Sequence, residues 1–172
     1  IVLGENARLC LTQAKLLTEQ SAHFSQSFLE LKKYAQLDLR LFTSGADASF
    51  TLYDVHLEQK EAQANIEAVV KTKNTACAEL QTYVRHIAPH CTSNQIIKNV
   101  AEGKSQAVFD GLVYIGPEGE KTQAAQLNKN LILDDSAQII SNPNLVINTD
   151  DVKCSHGSAT GQIRAEELFY LQ

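Results

Sequence analysis

Apolar residues recur at every second position through most of the chain. Leu9 and Leu11; Ala35, Leu37, Leu39 and Leu41; Phe50 and Leu52; Val55 and Leu57; Ile66, Ala68 and Val70; Leu80, Thr82 and Val84; Leu131 and Leu133; and Leu145 and Ile147 all keep this period. Successive side chains of an extended strand point to opposite faces, so each run predicts a strand with one buried side. Helical spacing is not sustained before residue 165. Between the runs stand Gly4-Glu5-Asn6, Ser44-Gly45-Ala46-Asp47, Gly103-Lys104-Ser105, Gly116-Pro117-Glu118-Gly119 and Asn142-Pro143-Asn144, residue types that turn a chain. All three prolines are expected in such gaps, where a missing amide donor harms no ladder.

A second, longer period runs beneath the first. An alanine followed two residues later by an aliphatic or aromatic residue recurs at Ala7, Ala35, Ala64, Ala78, Ala107 and Ala137. Most of these spacings lie close to 29 residues or half of that. Small residues at such intervals suit the corners of a stacked β-solenoid, in which each coil pairs with the next. An antiparallel sandwich is the other architecture open to short strands of this kind. Residues Glu166 to Gln172 read as a helix that begins where the strands end.

A chain of 172 residues is long enough to bury a core of one domain. Its net charge of −5, without a concentrated basic stripe, argues against nucleic acid as the main partner. No apolar run is long enough to cross a bilayer and no charged-then-apolar leader is present, so the chain is expected off the membrane and in the cytoplasm. Cys10, Cys77, Cys91 and Cys154 form no Cys-x-x-Cys pair, which disfavours a zinc knuckle and reads as free thiols in a reducing compartment. Cys10 and Cys77 sit among alternating apolar residues and are expected as small buried core residues.

Catalytic constellations are scarce. The chain has no Gly-x-x-x-x-Gly-Lys-[Ser/Thr] loop, no Gly-x-Ser-x-Gly elbow and no His-Glu-x-x-His helix. Asp134-Asp135 and Asp150-Asp151 could in principle divide acid and base roles, as in a carbohydrate-active β-solenoid lyase or hydrolase, and that enzyme is the alternative reading. Neighbouring residues on a strand point apart, however, and such pairs are ordinary at turns. No catalytic residue is assigned.

One stretch concentrates ligand chemistry. In Asp150-Asp151-Val152-Lys153-Cys154-Ser155-His156-Gly157, an extended chain puts Val152, Cys154 and His156 on one face. A thiol and an imidazole both bind iron and late transition metals, but two ligands do not close a site. Gly157 would remove bulk beside the imidazole where another backbone or a metal centre must approach. His86 and His90 are separated by Ile87-Ala88-Pro89, and Pro89 rules out the helical i, i+4 pair used for zinc. His90-Cys91 therefore reads first as structural, and His23 and His56 lie outside any motif.

The same stretch, with Gly161-Gln162 and Leu168-Phe169-Tyr170-Leu171 after it, resembles the C-terminal hallmark of the SufB/SufD family, scaffold subunits of the SUF iron–sulfur cluster assembly machinery. The likeness continues backwards through Asn128-Lys129-Asn130-Leu131, Lys121-Thr122-Gln123-Ala124, Val108-Phe109-Asp110-Gly111, Lys98, Gln95, Ser93, Pro89-His90-Cys91 and His86. It favours the SufD branch, because the corresponding SufB stretch lacks the Lys-Cys-Ser-His-Gly wording. The resemblance implies an all-β fold, a right-handed parallel β-helix over residues 1–163, with residues 164–172 opening a C-terminal helical segment. It also implies a noncatalytic scaffold, with flanks before and after this stretch of chain. SufB would pair with the β-helix end that carries His156, and the ATPase SufC would dock on the helical flank. His156, with Cys154 ranked second, would be a metal ligand for a nascent iron–sulfur cluster shared with SufB. Without SufB, a second copy of the chain could occupy that end, and the isolated chain should hold no stable cluster of its own.

Overall fold

A computed structural model describes residues 1–162. The chain forms β1 (Val2–Leu3), β2 (Arg8–Leu16), β3 (Ala22–Leu31), β4 (Gln36–Ser44), β5 (Ala48–Leu57) and β6 (Gln63–Thr72). It continues as β7 (Cys77–His86), β8 (Thr92–Ala101), β9 (Gln106–Ile115), β10 (Gln123–Ile132), β11 (Gln138–Ile147) and β12 (Lys153–Gln162). The odd-numbered strands make one six-stranded sheet and the even-numbered strands another, each in strict order along the chain. Every pairing is parallel. This is a β-solenoid of about six coils, as the alanine period predicts; Ala48 pairs with Cys77 and Cys77 with Gln106, each one coil of 29 residues on. No helix occurs among the described residues, and the helix expected at Glu166–Gln172 lies outside them.

In a parallel in-register stack, identical positions of successive coils lie over one another, so each inward position becomes a column. One column of the odd sheet reads Leu29, Val55, Val84, Val113, Leu145. In the even sheet, Leu11, Leu39 and Ile66 open another. Leu29, Leu39, Val55, Ile66 and Val84 are all buried, each contributing about 1.5–3 kcal/mol of transfer free energy. The coils turn at corners that are columns too. Asn6, Tyr34, Glu61, His90 and Lys121 each take a left-handed conformation, which costs a non-glycine residue about 1–2 kcal/mol. Each donates its amide to a carbonyl of the next coil, as in Asn6 to Lys33 and His90 to Glu120, which offsets that cost. The small side chains Ala7, Ala35, Ala62 and Cys91 follow immediately and fill the corner, with Thr122 next in line.

Four expectations from the pattern are corrected. Cys10 and Cys77 are exposed, not buried: both take the opposite parity from their inward neighbours Leu9, Leu11 and Ala78. Phe50 and Leu52 face outward while Thr51 and Tyr53 face in, since an aromatic stack of Phe24 on Phe50 (5.1 Å, 7°) occupies the outer surface there. Leu131 is likewise outward, and Asn128 and Asn130 take the inward positions. Finally, Asn142-Pro143-Asn144 is not a turn but the middle of β11. Among the described residues β11 is the terminal strand of its sheet, with a neighbour on one side only, where proline is tolerated.

Candidate functional site

Position along the solenoid determines the chemistry of its last coil. The even-sheet column that begins Leu9, Leu37, Ala64 continues as Ser93, Ala124 and Cys154. The next begins Leu11, Leu39, Ile66 and continues as Gln95, Gln126 and His156. Cys154 and His156 thus share the inward face of β12, as the two-residue spacing predicts. No described strand lies beyond β12, so an inward-facing imidazole at this level is open to solvent. Cys154 is half-buried against Val113, Ile115 and Ala124, and burial pushes its thiol above the usual range despite a backbone hydrogen bond at Ala124 that works the other way. Such a thiol becomes a ligand only as the thiolate, so metal binding there would release its proton to solvent.

Among the described residues no cluster of three or more His, Cys, Asp or Glu side chains could hold a metal ion. Gly157 does not flank the imidazole as expected. It faces outward, where an added Cβ would meet only Leu127 Cδ1 at 3.9 Å.

The other candidates separate. His86 is fully buried, with Nε2 2.8 Å from Ser93 Oγ, and burial lowers its pKa to about 4. His90 is an exposed corner residue with φ 61°, so Pro89-His90-Cys91 is a turn, and its histidine and His86 are not brought together as ligands. Cys91 is buried and its thiol is pushed up to about 11, chiefly by burial, with its S–H directed to the Gln59 carbonyl at 3.3 Å. Asp134 accepts from the Gly103 amide at 2.6 Å and Asp135 from the Gln162 side chain at 2.6 Å, both in the turn after β10. Asp150-Asp151 lies in the turn before β12, at the other edge of the coil. Neither acidic pair forms a paired-carboxylate site. His56 lies on the outer face between Asp54 (3.1 Å) and Glu58 (3.3 Å), packed on Phe28, with Arg85 holding Asp54.

One feature escapes a search for apolar alternation. The inward column that ends at His156, apolar at Leu11, Leu39 and Ile66, turns polar at Gln95 and Gln126, and the inward positions around it are polar as well. Thr82 donates to Gln95 at 2.6 Å, Asn99 to Asn130 at 2.8 Å, and Asn130 to Asn128 at 2.7 Å. Ser141 and Ser158 also donate to Asn128 Oδ1, and Asn130 reaches Thr160 at 3.2 Å in the last coil. The signal is present as Ser93-x-Gln95 and Gln126-x-Asn128-x-Asn130, since Ser93 and Gln95 keep the parity of Ala64 and Ile66 one coil earlier and of Leu37 and Leu39 two coils earlier.

The profile described as "SUF system FeS cluster assembly, SufBD core domain" matches residues 1–172. An iron–sulfur cluster assembly SufBD family protein of Synechocystis is 30% identical over all of this chain and 38% of its own length. The iron–sulfur cluster assembly protein SufD of Escherichia coli is 30% identical over all of this chain and 41% of its own length. The Arabidopsis thaliana protein ABCI7, chloroplastic, is 32% identical over all of this chain and 36% of its own length. The chain spans about two fifths of the length of these relatives. With a parallel solenoid whose last coil presents Cys154 and His156, and a core-domain match from first residue to last, the chain belongs to the SufBD family of the SUF iron–sulfur cluster assembly system.

Proposed function

We propose that this chain is the core of a SufD-type scaffold, a noncatalytic subunit on which a nascent iron–sulfur cluster is built and from which it is passed on. The observation that carries the reading is the exposed imidazole of His156 on the inward face of the last strand, inside a chain that matches the SufBD core throughout. The cluster is cargo here, held between two chains. His156 supplies one ligand, a neutral imidazole nitrogen, and Cys154 is a second donor on the same face once deprotonated. A SufB-type β-solenoid covers the open end and brings the remaining ligands. An ATPase of the SufC type docks beyond the solenoid and drives the motion that loads or releases the cluster. A second copy of this chain is the occupant of the open end when SufB is absent.

The test is His156→Ala in the whole parent protein. Assembly with SufB and SufC is expected at near-normal yield, while cluster maturation fails in a strain that depends on the complex. Normal maturation by the variant would return His156 to a packing role. Loss of the complex, with the residual complex maturing clusters normally, would make it an interface residue only.

A further inference from the structure

Directly beneath the exposed imidazole lies a buried amide with nothing to hold. Gln126 is in register with His156 on one side and with Gln95 on the other, so the two side chains leave the same face of adjacent strands whose backbones lie about 4.8 Å apart. Gln126 is 2% exposed, and neither its Oε1 nor its Nε2 has a hydrogen-bond partner among the described residues. A buried amide with both groups unbonded is costly, and natural cores rarely tolerate one without a purpose.

Room for that amide is made on the facing sheet. A Cβ placed on Gly111 would come within 2.4 Å of Gln126 Nε2 and 2.6 Å of Phe109 Cζ, so any side chain there would displace the glutamine. Of the neighbouring polar groups, Gln95 Oε1 accepts from Thr82 and Asn128 Oδ1 accepts from Asn130, Ser141 and Ser158, while Gln95 Nε2, like the Gln126 amide, has no partner among the described residues. Gln126 therefore carries a free donor and a free acceptor one coil below a candidate ligand. A ligating imidazole needs its second ring N–H held by an acceptor, which fixes the nitrogen that faces the metal.

We propose that Gln126 is the positioning residue for His156: its amide oxygen accepts the inward ring N–H and leaves the outward nitrogen with its lone pair facing the open end. The terminal amide torsion is broad, so either end of the amide can turn toward the coil above. This rests on the reading of His156 as a cluster ligand, and Gln126 itself touches no cargo.

The experiment uses the parent protein labelled with 15N at histidine, with the His156 signal identified by its disappearance in His156→Ala. At mildly alkaline pH one ring tautomer of His156 is expected to dominate. Gln126→Leu should move the ratio about fivefold toward that of free imidazole, the equivalent of one ordinary hydrogen bond, whereas Gln126→Glu keeps an acceptor and should preserve it. A ratio unchanged in a folded Gln126→Leu protein overturns the proposal, and the amide then binds buried water or nothing. Should Gln126→Leu fail to fold, the reciprocal measurement decides: in His156→Ala, which alters an exposed side chain, the Gln126 side-chain amide resonances should shift, and unchanged resonances overturn the proposal. Tautomer coupling in a protein whose His156→Ala variant still matures clusters would keep the contact and refute only the ligand role.

Discussion

Acidification should destabilise this fold through one buried histidine. His86 is the last residue of β7, with no exposed surface, and its Nε2 meets Ser93 Oγ at 2.8 Å while Nδ1 has no partner among the described residues. An imidazolium needs two acceptors; the site offers one hydroxyl. Burial accordingly lowers the pKa from 6.5 to about 4. The unfolded chain then binds a proton that the folded chain refuses, so stability rises with pH across this window. The contribution is complete above the unfolded value of 6.5, is lost as pH falls from there, and levels off below about 4. A shift of this size corresponds to about 3 kcal/mol in total, of which about 2 kcal/mol is lost by about pH 5. Urea unfolding of the chain and of His86→Gln, each followed from about pH 7.5 to about pH 5, measures it. The carboxylates titrate alike in both proteins, so the difference between the two curves isolates the imidazole. Parallel curves, with no gap opening below about pH 6.5, would refute the assignment of His86 as a buried neutral residue.

Three further outcomes are expected. Leu39→Ala removes a side chain from a closed column and should cost about 2–5 kcal/mol in urea unfolding, against about 0.5 kcal/mol for Leu127→Ala on the outer face; equal losses would contradict the parity assigned to β4 and β10. Gly45→Ala places a Cβ 1.8 Å from the Leu17 carbonyl oxygen at φ +90° and should cost at least about 1–3 kcal/mol, whereas Gly161→Ala, with open space around it, should change the unfolding midpoint little; a benign Gly45→Ala would show that this turn is built differently. In a thiol-alkylation time course Cys10 and Cys77 should react first and Cys91 only on unfolding, since it is buried and its thiol is pushed up to about 11; early modification of Cys91 in the folded chain would disprove its burial.

The architecture could be read from the chain because two periods coincide. Leu37, Leu39 and Leu41 give the strand, and the return of the same parity one coil later at Ala64, Ile66 and Ala68 gives the stack. Parity failed where an outer face imitates an inner one. Phe50 and Leu52 alternate as cleanly as Val55 and Leu57, and only the partner Phe24 shows that they lie outside. It failed again where the interior is polar, because Gln126 and Asn128 look like solvent-facing residues until the coil above them is known. Cys154 and His156 were placed on one face correctly, for that needs only the two-residue spacing. Their exposure followed from topology instead: nothing local in the sequence says that β12 is the outermost described strand of its sheet.

The open end has two unlike halves, and this bears on how a partner could use it. The inward row of β11 is largely apolar, with Ile139, Leu145 and Ile147 partly exposed, while the inward row of β12 is Cys154, His156, Ser158 and Thr160. In a solenoid each coil is stabilised mainly by its neighbours, so the β11–β12 coil, with no further coil over it among the described residues, is the one that gains most from being covered. A covering chain would recover apolar area from the β11 half, which supplies affinity without regard to cargo. Over the β12 half it would meet polar groups that Asn128 and Asn130 already anchor from below, and there the partner must match hydrogen bonds or ligands to avoid a desolvation cost. If His156 is the ligand proposed above, affinity and ligand presentation would reside on different strands of one surface. Substituting Ile147 should weaken pairing while leaving the chemistry at His156 intact, and substituting His156 should do the reverse.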